Sequence, residues 1–227
     1  MLGDFISLIY PENCLSCGEI LYKHEKHICF RCRYKLPKTD FHKLNENPVS
    51  KLFWGRIGIF SASAYYFFTK GGGVQHLLHA IKYRGEKEAG SEVGKMYGSE
   101  LKDSPFFETV DLVLPVPLHP KKKKIRGYNQ SDFIAQGIAE GMGKSYSPDL
   151  LVRNVANESQ TRKSRFVRWQ NVESIFEIKD KAAVEGKHIL IVDDIITTGA
   201  TIEASAQCIQ NIDGTKVSVA ALAFTQH

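Results

Sequence analysis

The run ILIVDDIITTGAT, residues 189–201, constrains this chain more than any other stretch. A short apolar segment leads into Asp193 and Asp194, two more apolar residues follow, and then come Thr197, Thr198, Gly199, Ala200 and Thr201. The next residues, ATIEASAQCIQNI (200–212), have helical spacing, so the whole reads as strand, turn and helix. In an open α/β sheet, ligands bind beyond the carboxyl ends of the strands. A helix start offers free amides and a favourable dipole to a phosphate, Gly199 permits close backbone approach, and threonine hydroxyls add donors. Two carboxylates would repel a phosphate, so they serve something else: the vicinal hydroxyls of a sugar, or a magnesium ion. The implied ligand carries a phosphate at one end and a diol in the middle, as a ribose 5-phosphate does.

The flanking sequence supports a sheet that can present such a tip. DLVLPV (111–116), DLLVRNV (149–155), ESIFEI (173–178), HILIV (188–192) and KVSVAALAF (216–224) read as strands, and NQSDFIAQGIAEGMG (129–143) as a helix with Phe133, Ile134, Ile138 and Met142 inward. Upstream, RIGIFSASAYYFF (56–68) suits a strand or hairpin. VQHLLHAIKY (74–83) places Val74, Leu77, Leu78 and Ile81 on one helical face, and GSEVGKMYGSELK reads as a second, weaker helix. Near-continuous apolar strands alternating with helices predict an α/β fold, a mainly parallel sheet covered by helices on both faces.

Cys14, Cys17, Cys29 and Cys32 form C-x2-C-x11-C-x2-C. In a reducing compartment such knuckles favour a tetrahedral zinc site over disulfides, and sulfur at every position leaves no place for water, so the metal is structural. Cys208 sits at core spacing in the last helix. No apolar run approaches the roughly 20 residues that span a bilayer. The amino-terminal MLGDFISLIYPEN lacks a basic leader region, and Phe5, Ile6, Leu8 and Ile9 fit a short amphipathic helix, so a cytoplasmic protein is expected. The chain thus divides into a helix and zinc module (1–35), a mixed polar linker (36–55) and an α/β domain (56–227). The formal net charge of +5 is concentrated in two basic loops, HPKKKKIRG (119–127) and RKSRFVR (162–168). Such runs are solvated surface unless an anionic ligand lies beside them.

ILIVDDIITTGAT resembles the phosphoribosyl pyrophosphate signature of type I phosphoribosyltransferases. With IKYRG, LPVPLHPKKKKIRGYNQ, the spaced Gln160, Arg168 and Asn171, and the four-cysteine knuckle, the chain resembles the ComF family of competence proteins over nearly its whole length. That family is known for DNA uptake in natural transformation, and its GntX-like relatives for gluconate utilisation. The resemblance implies a type I phosphoribosyltransferase-like fold with phosphoribosyl pyrophosphate and magnesium as ligands. It also implies single-stranded DNA and uptake machinery, such as a ComF-type helicase, as partners.

By that resemblance, Asp193 and Asp194 bind the ribose hydroxyls, and Thr197, Thr198, Gly199, Ala200 and Thr201 cradle the 5′-phosphate. Pro117, Leu118, His119 and Arg126 belong to the pyrophosphate loop. Where the family generally carries arginines, this chain has Lys121, Lys122, Lys123 and Lys124. The planar fork of Arg126 suits a phosphate better than any of these flexible amines. The lysines serve either a pyrophosphate or a nucleic-acid backbone, with Tyr128 and Trp169 as stacking surfaces or as core aromatics. Gln160, Arg165 and Arg168 fall in a polar stretch, 157–171, where this fold carries a closing lid; the alternative for Arg168 is a pairing with an acidic neighbour. In an active transferase, Asp193, Asp194 and Arg126 form the catalytic set, and an unidentified base or amine attacks C1′ as pyrophosphate leaves. The alternative is a sensor that binds the sugar ligand without turnover.

Overall fold

A computed structural model describes residues 12–154 and 175–226. Its strands are Ser61–Phe67 (β1), Leu112–Pro115 (β2), Ser145–Tyr146 (β3), Leu151–Arg153 (β4), Phe176–Ile178 (β5), His188–Ile196 (β6) and Lys216–Phe224 (β7). Its α-helices are Phe30–Lys35 (α1), Pro48–Lys51 (α2), Gly73–Tyr83 (α3), Lys87–Lys102 (α4), Pro120–Arg126 (α5), Gln130–Met142 (α6) and Ala200–Gln210 (α7). Five strands form one sheet in the order β1-β7-β6-β2-β3, parallel at every pairing.

The sheet is buried on both sides, as its unbroken apolar strands require. Successive residues of β6 alternate between faces: Leu190 and Val192 join a core with α3, α4 and α6, while Ile189 and Ile191 join one with α7 and the β4–β5 ribbon. The helices α4 and α6 touch backbone to backbone. A β-carbon at Gly94 would collide with the Ile134 carbonyl, and one at Gly137 with the Ser91 carbonyl. This close seam anchors the start of α6, where the functional residues stand.

Four details differ from the sequence reading. The segment DLLVRNV yields β4, which pairs antiparallel with β5 apart from the main sheet, because Leu151, Phe176 and Ile178 bury against its second face. The basic run 119–127 is a helix rather than a loop. Pro120 at its first position presets φ, His119 Nδ1 accepts from Lys121 N at 3.2 Å, and Gly127 ends it in the left-handed region at φ 83°. Residues 36–55, read as a linker, are packed: Phe41, Val49 and Phe53 lie in the core, and Asn47 caps α2 by accepting from the amides of Val49 and Ser50. Finally, β6 continues through both aspartates to Ile196, so the acids lie within the strand and not at its last residues.

The cysteine module seats on α3 and α4. Cys14, Ile28, Cys29, Cys32 and Leu36 belong to the first core, His76 Nδ1 lies 3.1 Å from the Ser16 carbonyl, and Arg33 pairs with Glu92. The amino-terminal helix expected over residues 1–10 and the lid expected over 157–171 lie outside the described residues.

Candidate functional site

β6 stays paired with β7 as far as Ile196, whereas β2 stops opposite Val192. Asp193 and Asp194 therefore emerge where β6 loses one neighbour, and a crevice opens beside them, as strand order in an open α/β sheet dictates. The crevice is a cavity of about 350 Å³. Asp193, Asp194 and Thr201 line it, together with Pro117, Leu118, His119, Lys122, Arg126, Asn129, Gln130 and Ser131, and with Lys82, Tyr83 and Arg153.

The turn into α7 is built for backbone contact. Gly199 has φ 77°, and a β-carbon there would stand 2.9 Å from Phe53 Cε1, so both conformation and packing demand glycine. No side chain caps α7 well; the closest approach is Thr198 Oγ1, 3.5 Å from Ala200 N. Its first amides are thus open to an anion. Arg56 braces the turn from behind. Its Nη1 donates to the carbonyls of Leu52 and Thr198, each at 3.1 Å, and its Nη2 pairs with Glu203 in the first turn of α7.

The two aspartates differ in their partners. Asp194 is buried; Lys82 Nζ lies 2.9 Å from its Oδ1, and Gln130 Nε2 donates to its Oδ2. Arg126 donates to Gln130 Oε1, so a hydrogen-bonded chain, charged at both cations and at the carboxylate, runs Arg126–Gln130–Asp194–Lys82. Asp193 accepts from Ser131 Oγ at 3.1 Å and from the Asp194 amide at 2.8 Å. Burial, and then the adjacent Asp194 charge, push the Asp193 carboxyl up to about 7. Asn129 donates to the Val116 carbonyl at 3.0 Å and to Asp132 at 2.7 Å, while its buried Oδ1 has no protein partner among the described residues. Two carboxylates and an orphaned amide oxygen are the hard oxygen donors that magnesium and its bound waters prefer.

Arg126 and Lys122, one helical turn apart on α5, both line the cavity, whereas Lys121, Lys123 and Lys124 are exposed and do not line it. Of the two readings of Tyr128, the core aromatic fits its burial. It is 9% exposed, and its hydroxyl donates to the Ile81 carbonyl. The exposed ring beside the cavity is Tyr83, with the Arg126 guanidinium 4.9 Å from its centroid. Gln160, Arg165, Arg168 and Trp169 lie outside the described residues. The sequence reading gave no role to Lys82, Gln130, Ser131 or Arg153. Lys82 and Gln130 stand in IKYRG and RGYNQ, the stretches that carried the family resemblance, so a signal was present without an assignment.

In the amino-terminal module, the four cysteine sulfurs lie within 4.8 Å of one another, none is in a disulfide, and those of Cys17 and Cys29 are 3.8 Å apart. Tetrahedral zinc with bonds of about 2.3 Å sets sulfurs roughly 3.8 Å apart, so the cluster fits a structural zinc ion. A second group of donors, Asp40, His42 and Glu100, already spends its carboxylates on Lys43 at 2.8 Å and Lys38 at 2.6 Å.

The family model described as phosphoribosyl transferase domain matches residues 144–227. The chain is 28% identical over 152 residues to DNA utilization protein YhgH of Salmonella typhimurium, a match covering 66% of each protein, just under two thirds of that relative's length. It is 28% identical over 205 residues to Competence protein ComFC of Bacillus subtilis, covering 83% of this chain and 80% of that one. Among solved structures, the allosteric regulatory enzyme of purine biosynthesis aligns over 64% of this chain and 30% of its own, at 22% identity and a TM-score of 0.46. The chain is thus similar to relatives named for competence and DNA utilization and carries a phosphoribosyl transferase domain match over β6 and α7, which supports the ComF resemblance.

Proposed function

We propose that the chain binds phosphoribosyl pyrophosphate with magnesium in the cavity at Asp193 and Asp194, and that this binding serves the handling of DNA during uptake. One observation carries the reading. A carboxylate pair and an uncapped helix start share a single cavity with the cations Lys122 and Arg126. Each part of the ligand then has a chemical counterpart. The amides and hydroxyls of residues 197–201 receive the 5′-phosphate, and the acids take the ribose diol. Lys122 and Arg126 take the pyrophosphate, whose repeated negative charge suits them. Magnesium, when bound, neutralises part of that charge. Asp194 exchanges its Lys82 or Gln130 partner for a sugar hydroxyl. Zinc held by Cys14, Cys17, Cys29 and Cys32 keeps the amino-terminal module folded against α3.

The DNA role is supported by the names that the relatives carry and by the exposed Lys121, Lys123 and Lys124 on α5. These amines lie off the sugar cavity and suit a backbone of repeated charges. A second reading, transfer of the phosphoribosyl group to a base or amine, is favoured by the position of Lys122 and Arg126. Fixed positive groups where pyrophosphate would depart stabilise charge that develops in the reaction, which a sensor does not need.

Calorimetric titration with magnesium and phosphoribosyl pyrophosphate tests the binding. The whole ligand should bind at least about tenfold more tightly than ribose 5-phosphate or pyrophosphate alone, a difference of roughly 1.4 kcal/mol. Equal affinity for pyrophosphate would mean that the acid pair and the turn contribute nothing. Pyrophosphate release in a screen of bases and amines would then separate transferase from sensor.

A further inference from the structure

Beside the sugar cavity, and sharing four of its residues, lies a second groove of about 340 Å³. Lys82, Tyr83, Lys122 and Arg126 line both, and Gly85, Ile125 and the largely buried Tyr128 complete the groove. Its chemistry differs from that of the first. It has no carboxylate in its lining, three cations, and two apolar side chains turned to solvent: Tyr83 is 64% exposed and Ile125 89%. Ile125 sits on a short helix otherwise made of lysine, arginine and proline, so nothing in the core accounts for it. The Arg126 guanidinium lies 4.9 Å from the Tyr83 ring centroid and the His79 ring 5.0 Å from it, and the residue still keeps well over half of its surface open to solvent. Gly85, with nothing within 4 Å of a β-carbon built on it, leaves that wall without a side chain, so a flat group can approach the backbone.

An exposed aromatic face, an apolar neighbour and clustered cations are the parts that hold a base and its phosphate. We propose that this groove is a second ligand site, which takes a nucleotide unit with its base on Tyr83 and Ile125 and its phosphate toward Lys82, Lys122 and Arg126. The proposal goes beyond the phosphoribosyl pyrophosphate reading and stands without it. The unit is either a free nucleotide or one residue of a single strand, since the recognising chemistry is the same. Because Lys122 and Arg126 face both cavities, occupants of the two sites affect each other's affinity reciprocally.

The test is fluorescence anisotropy on the full chain with a ribose-labelled AMP and, separately, a labelled decathymidylate. Binding of the mononucleotide identifies a free ligand, and binding of the strand alone identifies nucleic acid; either supports the site if the variants respond. Tyr83→Ala should weaken the bound probe roughly 5- to 150-fold, the range for losing one base stack. Tyr83→Phe should restore it. Ile125→Glu replaces the apolar contact with the base by a charged group and should weaken the probe at least about tenfold, with affinity for phosphoribosyl pyrophosphate changed far less, because Ile125 lies outside the sugar cavity. Failure of both probes to bind, or wild-type binding by Tyr83→Ala and Ile125→Glu, would overturn the proposal. Calorimetry with the sugar ligand, run in parallel, reports on the first cavity independently.

Discussion

The side of the cleft proposed to take the 5′-phosphate is made of backbone: β6, the turn at 197–199 and the first amides of α7. The cationic side is made of side chains, Lys82 from α3, Lys122 and Arg126 from α5, and Gln130 from α6, which come from separate parts of the chain to line one cavity with Asp194. The difference teaches where each half is vulnerable. A backbone site fails when its conformation is disturbed and tolerates loss of single side chains. A side-chain site keeps its fold when a residue is removed and loses that residue's share of binding.

The largest effect should follow from Gly199→Val, which breaks the backbone half. A β-branched residue at φ 77° is strained, and its β-carbon would press on Phe53. Thermal or urea unfolding should show a loss of about 1–3 kcal/mol, the usual cost of overpacking, and calorimetry should show no sugar-ligand binding. Arg126→Ala tests the other half. It should cost about 1.5–3 kcal/mol in affinity for phosphoribosyl pyrophosphate, the worth of a hydrogen bond to a charged group, with little change in unfolding. Lys124→Ala, one helix face away, should leave that affinity unchanged.

Zinc chelation sharpens the contrast. The cysteine module seats on α3 through Ser16 and His76, and α3 carries Lys82. Removing the metal should expose residues 12–35 to protease and lower sugar-ligand affinity through the cationic side, by less than Gly199→Val does. Intact protection after chelation, with zinc loss verified by metal analysis, would show that the module needs no metal.

The smallest expected effect concerns pH. The Asp193 carboxyl is raised above its unfolded value, so its contribution to stability is fully present below about pH 4 and is lost as pH rises through about 7. Asp193→Asn should flatten that part of the stability profile relative to wild type. A parallel profile in the variant would place the titration elsewhere.

How much of this was legible in the sequence follows the same division. The strand, turn and helix at 189–201 could be read because one continuous run holds both the apolar period and the threonine-glycine turn. The cysteine spacing was legible for the same reason. The cationic side was not, since nothing local states that Lys82 reaches Asp194 or that Gln130 bridges Asp194 to Arg126. Local chemistry could not choose between the two readings of Tyr128, whose neighbours are basic but whose ring is buried, and it misled at 119–127, where a lysine run read as a loop is capped as a helix by His119 and Gly127. The polar composition of 36–55 hid three core residues, Phe41, Val49 and Phe53, because burial there depends on a sheet formed by later sequence.

The most direct test of the central claim is calorimetry with magnesium and phosphoribosyl pyrophosphate on the double variant Asp193→Asn, Asp194→Asn, beside Thr198→Ala as a control. The account predicts that the double variant, still folded, shows no binding heat, because neither the diol nor magnesium finds its carboxylate. Thr198→Ala, which keeps the turn's amides, should lose only about 0.5–1.5 kcal/mol. Wild-type affinity in the double variant would contradict the account, since the ligand would then bind without the acid pair that defines the site.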